Sequence, residues 1–179
     1  MRQAVRLLVT EEEFLARPVS NQKIEFIDGE VIVPPSPTFL HQELLVSLVE
    51  ALRAWARRQS GAITVAQSPL DVRFARGRIL QPDAMVFFAR IPRDQKGPID
   101  RVPELCIEVL SEDRVYDRVT KRLLYGAAGV SEYWLVEPSG IVERRSGAGL
   151  ERAEELRETL TTPLLPGFSL DLGKLFAAE

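Results

Sequence analysis

Residues 81–89 read QPDAMVFFA and residues 104–111 read ELCIEVLS. Each is an apolar run of strand length, and each carries a carboxylate that a core strand would not tolerate unpaired. Asp83 opens the first run. Glu108 lies within the second, on the face of Cys106 and Leu110 and away from Ile107 and Val109, because side chains alternate along a strand. If the two strands pair, both acids converge at one place on the sheet. Adjacent carboxylates repel, so one keeps a proton unless a cation binds between them. Singly, Asp83 also reads as a turn residue and Glu108 as an edge or ion-paired residue. Together they predict a cation site. Oxygen donors without Cys or His clusters suit Mg²⁺ or Mn²⁺, with the Val109 carbonyl and waters completing the shell.

Composition narrows the rest. The 179 residues suit one domain spanning 1–179, with 45% hydrophobic and 27% charged residues. The net charge of −3 argues against a general nucleic-acid binder, though not against a local basic patch. One cysteine, Cys106, excludes an intrachain disulfide and a Cys-based zinc site. One histidine, His41, excludes a multi-histidine metal site. No signal peptide and no spanning segment stand out, so a cytoplasmic protein without a membrane is expected.

The flanking segments read as alternating helices and strands. TEEEFLARP carries a capping box, Thr10 with Glu13, and Pro18 stops the short helix. QKIEFIDGEVIV holds Asp28-Gly29 between alternating runs, the signal for an N-terminal β-hairpin. TFLHQELLVSLVEALRAWARRQS places Leu44, Leu48, Leu52 and Trp55 on one helical stripe, with Gly61 as its expected end. Strands follow at 62–68, 70–75, 83–89 and 104–111. A helix ends at Gly129, and a strand at 131–138 comes next. On that helix Val115, Val119, Leu123 and Ala127 form the expected core stripe, with Lys121 at its border. The core order of helix, three strands, helix, strand predicts an α/β fold with a central mixed sheet flanked by helices.

Pro82-Asp83 and the acidic Glu108 strand resemble the PD-(D/E)XK nuclease superfamily, which has that core order. EFIDGEVI, SPTFLHQELLVSL, QPDAMVF, ELCIEVLSEDRVYDRVTKRLLYGAAGVSEYWLVEP and PLLPGFSLDLGKLF are together similar to the bacterial Uma-type family of restriction-endonuclease-like proteins. The resemblance implies a divalent-metal-dependent nuclease acting on DNA, with Asp83, Glu108 and Lys121 as catalytic residues. It departs from the superfamily pattern at Leu110, where a lysine is usual. The resemblance transfers that role to Lys121 on the following helix. From spacing alone, a salt bridge to Asp117 accounts for Lys121 equally well.

Further candidates surround this set. His41 lies on the apolar stripe of the long helix and reads as a hydrogen-bonded core residue, a general base near neutral pH or a metal ligand. Glu25 and Glu30 flank the hairpin turn; exposure explains Glu25, and a place in a metal shell is the alternative. Ser111 is placed to join the site or to cap the next helix. Asp117 and Tyr125 share the helical face of Lys121. Arg73, Arg76 and Arg78 border Gly77 and are candidates for phosphate contacts. A homodimer joined through the hairpin would suit a cut of both strands. The contrasting reading is a catalytically silent binding or assembly module on the same fold.

Overall fold

The computed structural model describes residues 8–110 and 115–177. Helix α1 (Glu11–Leu15) begins at the capping box: the Thr10 hydroxyl accepts from the Glu13 amide at 3.1 Å, and the Glu13 carboxylate accepts from the Thr10 amide at 2.7 Å. Strands β1 (Glu25–Ile27) and β2 (Glu30–Ile32) pair antiparallel around Asp28 and Gly29. Both turn residues have positive φ, 49° and 96°, as a type I′ turn requires. Phe26 stacks on Phe14 at 5.0 Å, which fixes α1 against one face of the hairpin.

Helix α2 (Phe39–Ala56) is capped by Thr38 and buries Leu44, Leu45, Leu48, Val49, Leu52 and Trp55, the predicted stripe. It stops one turn before Gly61. Strands β3 (Thr64–Gln67), β6 (Ala84–Phe87), β7 (Leu105–Val109), β8 (Glu132–Glu137), β9 (Ile141–Ser146) and β10 (Arg152–Leu156) form the main sheet in the order β10-β9-β8-β7-β6-β3. Only β7 and β8 run parallel among its pairs, so the sheet is mixed. One face packs Ala84, Val86, Leu105, Ile107 and Val109 against α2. The other packs Met85, Phe87 and Cys106 against a second sheet and the helix after β7.

That second sheet differs from expectation. Strand β4 (Val72–Ala75) does not continue the main series. It pairs with β5 (Arg78–Leu80), which in turn pairs with β1, giving the order β2-β1-β5-β4. The three residues of β5, set between Gly77 and Pro82, are too short a run to read as a strand from pattern alone.

The helix after β7 also corrects the reading. A π-helical stretch (Tyr116–Lys121) leads into α3 (Arg122–Ala128), which ends at Gly129 in the left-handed region with φ 88°. Val115, Val119 and Leu123 are 71%, 48% and 55% exposed, whereas Asp117, Lys121, Leu124 and Tyr125 are buried. The core takes the face that carries Tyr125, wedged between Phe74 and Tyr133 at 4.7 and 5.1 Å. Gly126 lets α3 approach the turn at residues 148–150, since a Cβ there would lie 2.8 Å from the Gly149 backbone. The chain closes with β11 (Thr159–Leu160), β12 (Leu170–Asp171) and α4 (Leu172–Phe176). No helix among the described residues is long and apolar enough to cross a membrane.

Candidate active site

Alternation and register bring the acids together. Ala84 opposes Ile107 and Met85 opposes Cys106, so one step further Asp83 faces Glu108. Both lie on the floor of a cleft of about 830 Å³, walled by the β2 end of the hairpin, the proline-rich loop after it and the start of α2.

Each acid has one oxygen anchored and one oxygen turned toward a shared point. Asp83 Oδ2 accepts from the Val109 amide at 2.9 Å and lies 3.1 Å from His41 Nε2. Glu108 Oε1 accepts from the Tyr125 hydroxyl at 2.8 Å and from the Lys121 ammonium at 2.8 Å. The other two oxygens, Asp83 Oδ1 and Glu108 Oε2, meet one ammonium, that of Lys23, at 2.8 and 3.3 Å. Lys23 is the residue that sequence reading missed. It shares a face with Glu25 by period 2, a signal that the irregular backbone before β1 makes easy to overlook.

Lys121 closes the cluster from behind. Its side chain is 2% exposed and its ammonium also reaches Asp117 at 3.2 Å and Glu25 at 3.5 Å. Glu25 is fully buried, which rules out the exposed one of its two readings and places it in the charge cluster. It accepts from the Gln81 amide at 2.9 Å and from the Tyr116 hydroxyl at 2.8 Å. Tyr116 is a second member that sequence reading passed over. His41 is buried, and its Nδ1 has no hydrogen-bond partner among the described residues.

Four carboxyl groups, Glu25, Asp83, Glu108 and Asp117, thus share two ammonium groups. The surplus negative charge sorts their protonation. Burial pushes Glu108 up, Lys121 and Lys23 pull against it, and Asp83 and Asp117 add to it, leaving the group at about 8. Burial also raises Asp117 above the usual carboxylate range, in spite of Lys121. Burial would raise Asp83 too, but Lys23 and His41 reverse it and hold that carboxyl well below the usual range. Glu25 is lowered: burial opposes this, and Lys121 and Lys23 overcome it. Both lysines are raised, because Glu108 and the other acids outweigh the cost of burying the charge.

Other candidates fall elsewhere. Glu30 lines the cleft from β2, as does Val109 from the end of β7. Leu110, in the usual lysine position, packs in the apolar core. Ser111 lies outside the described residues. Arg73, Arg76 and Arg78, near the acids in sequence and candidates for phosphate contacts, do not line the cleft. They sit at the far turn of β4 and β5, where Arg73 pairs with Glu11 at 2.8 Å and with Asp100, and Arg78 pairs with Asp28 at 3.1 Å. Among the described residues no three His, Cys, Asp or Glu side chains form a metal cage, so side-chain ligation of an ion rests on the Asp83–Glu108 pair. That pair fits a hard cation, since its two cleft-facing oxygens already share a positive charge.

A central mixed sheet flanked by helices is the restriction-endonuclease-like fold that the resemblance implied, although the lysine stands on the crossover helix and not in the superfamily's usual strand position. The model of the Uma2 family, described as "Putative restriction endonuclease", matches residues 11–173, and the chain belongs to that family. The crystal structure of a "putative nuclease belonging to DUF820" from Anabaena variabilis ATCC 29413 is similar over 94% of this chain and 97% of that one, with 26% identity and a TM-score of 0.76. No curated protein matches the chain.

Proposed function

We propose that this chain is a Mg²⁺- or Mn²⁺-dependent nuclease that hydrolyses phosphodiester bonds in DNA and acts in the cytoplasm, where that substrate is found. The carrying observation is the anchored pair: Asp83 and Glu108 each hold one oxygen fixed and aim the other at a common point on the cleft floor. Those two oxygens, with the Val109 carbonyl, are the groups that would hold the ion. A bound Mg²⁺ or Mn²⁺ would supply Lewis acidity toward a phosphoryl oxygen and lower the pKa of a bound water.

The chain's own residues do the positioning. Lys121 spends its three ammonium hydrogens on Glu25, Glu108 and Asp117. It therefore orients Glu108 Oε1, together with Tyr125, rather than reaching the substrate. The Val109 amide and His41 do the same for Asp83. DNA as the substrate rests on the family description, and a cut of both strands would need two copies of the chain, since one site cuts one strand.

Cleavage of duplex, single-stranded and branched DNA with Mn²⁺ tests this reading, beside calorimetric titration with Mn²⁺. Asp83→Asn and Glu108→Gln are expected to lose Mn²⁺ binding and cleavage by more than the roughly 10–100-fold that outer contacts are worth. Wild-type protein that binds no Mn²⁺, or cleavage that survives in both variants, refutes it.

A further inference from the structure

Two lysines grip Glu108 from opposite sides, and they are not equivalent. Lys121 also borders the cleft, but its side chain is only 2% exposed and it has three acidic partners. Lys23 has a side chain 21% exposed, lines the cleft and contacts two acids, Asp83 and Glu108. An ammonium has three donors, so Lys23 keeps one beyond these two contacts. Lys23 also lies before β1, outside the hydrogen-bonded ladder of the hairpin, on a flexible four-carbon stem.

The oxygens that Lys23 holds are Asp83 Oδ1 and Glu108 Oε2, the two left over once Val109, His41, Tyr125 and Lys121 have taken the others. A divalent ion coordinated by those oxygens would lie about 2.1 Å from each. The Lys23 nitrogen stands 2.8 and 3.3 Å from them. Two cations do not share that space.

We propose that Lys23 is a displaceable counter-ion of this site. It caps the cleft-facing oxygens of Asp83 and Glu108 until a divalent ion takes its place, and the released ammonium then meets a phosphate oxygen of the substrate in the same cleft. Lys121 stays behind as a positioning residue. This rests on the metal-dependent phosphodiesterase reading and adds to it a residue, a competition and an order of events.

Three measurements test it. First, Mn²⁺ titration of Lys23→Gln beside wild type: removing the competitor should tighten Mn²⁺ roughly tenfold. Second, amine labelling of the wild-type protein with formaldehyde and borohydride, read by peptide mass spectrometry, needs no variant to fold. Lys23 should be labelled faster with Mn²⁺ than with chelator, while Lys121 stays protected in both. Third, binding of a short oligodeoxynucleotide in Ca²⁺ across a KCl series: Lys23→Gln should reduce the salt slope by about one, the signature of one lost phosphate contact. Unchanged or weaker Mn²⁺ binding in Lys23→Gln, Lys23 labelling indifferent to Mn²⁺, or an unchanged salt slope overturns the role of Lys23. If wild type binds Mn²⁺ while these fail, only the role of Lys23 falls. If wild type binds none, the metal-dependent reading falls with it.

Discussion

Helices α2 and α3 cover opposite faces of one sheet, yet they meet it with opposite chemistry. Helix α2 lays an apolar stripe of Leu44, Leu48, Leu52 and Trp55 onto Ala84, Val86 and Ile107. The segment ending in α3 instead turns Asp117 and Lys121 inward and leaves Val115, Val119 and Leu123 in the open. The first arrangement follows from the hydrophobic effect alone. The second is tolerable only because the buried charges find one another: Lys121 has three carboxylates within 3.5 Å, and Glu108 has two ammonium groups and a tyrosine hydroxyl. One face of the sheet is built for stability. The other bears a charge cluster whose cost function must justify.

The largest expected effect strikes that cluster. Lys121→Met leaves Glu25, Glu108 and Asp117 without their common cation, and losing one partner of a buried ion pair costs about 3–5 kcal/mol. On the α2 face, Leu48→Ala should cost a comparable amount, about 2–5 kcal/mol, through the cavity it opens. The two losses have different origins and part with pH. Urea unfolding at pH 8 and pH 5 should show the Lys121→Met loss shrinking at the lower pH, where the stranded acids take up protons, and the Leu48→Ala loss unchanged. An equal response in both variants would break the contrast between the faces.

A smaller effect belongs to the unmodified protein in chelator. Glu108 keeps its proton in the fold up to about 8, against an ordinary value of 4.5. Between those values the folded state binds more protons than the unfolded one, so stability from this group is full below the ordinary value and is lost as pH rises to about 8. Asp117, also raised, acts in the same direction. Asp83 and Glu25 are lowered, so their contributions are present above the ordinary carboxylate range and fade as pH falls. The melting temperature of the metal-free protein should therefore peak on the acid side of neutrality and decline toward pH 8. Glu108→Gln should flatten that decline. A melting temperature that climbs from pH 5 to pH 8 would contradict the protonation assigned to Glu108.

The same contrast explains what could be read from the residues. The Asp83–Glu108 pair was legible because a two-residue period sets the face and two apolar runs set the register. The α2 stripe and the Asp28-Gly29 turn were legible for equally local reasons. The face of α3 was not. Its charged residues look solvated along the chain, and their partners arrive from β1 and β7. Lys121 as a site residue came from family resemblance rather than from periodicity. Lys23, Tyr116 and the short strand β5 lie where no repeat of two or 3.6 residues is long enough to register.

The smallest effect probes the outward stripe. Val119 is 48% exposed on the far side of the helix from Lys121, whereas Val49 is 2% exposed within the α2 core. By apolar pattern the two valines look alike, and a wheel drawn on hydrophobicity puts both inside. Their environments say otherwise. Val119→Ser removes little buried surface and should change unfolding free energy by no more than about 0.5 kcal/mol. Val49→Ser places a hydroxyl among Leu45, Leu48 and Leu52 and should cost several times that. Denaturant midpoints for the two variants make the comparison directly. A large loss at Val119 would mean that the stripe is covered in solution, and sedimentation of the wild-type protein would then show whether a second copy covers it.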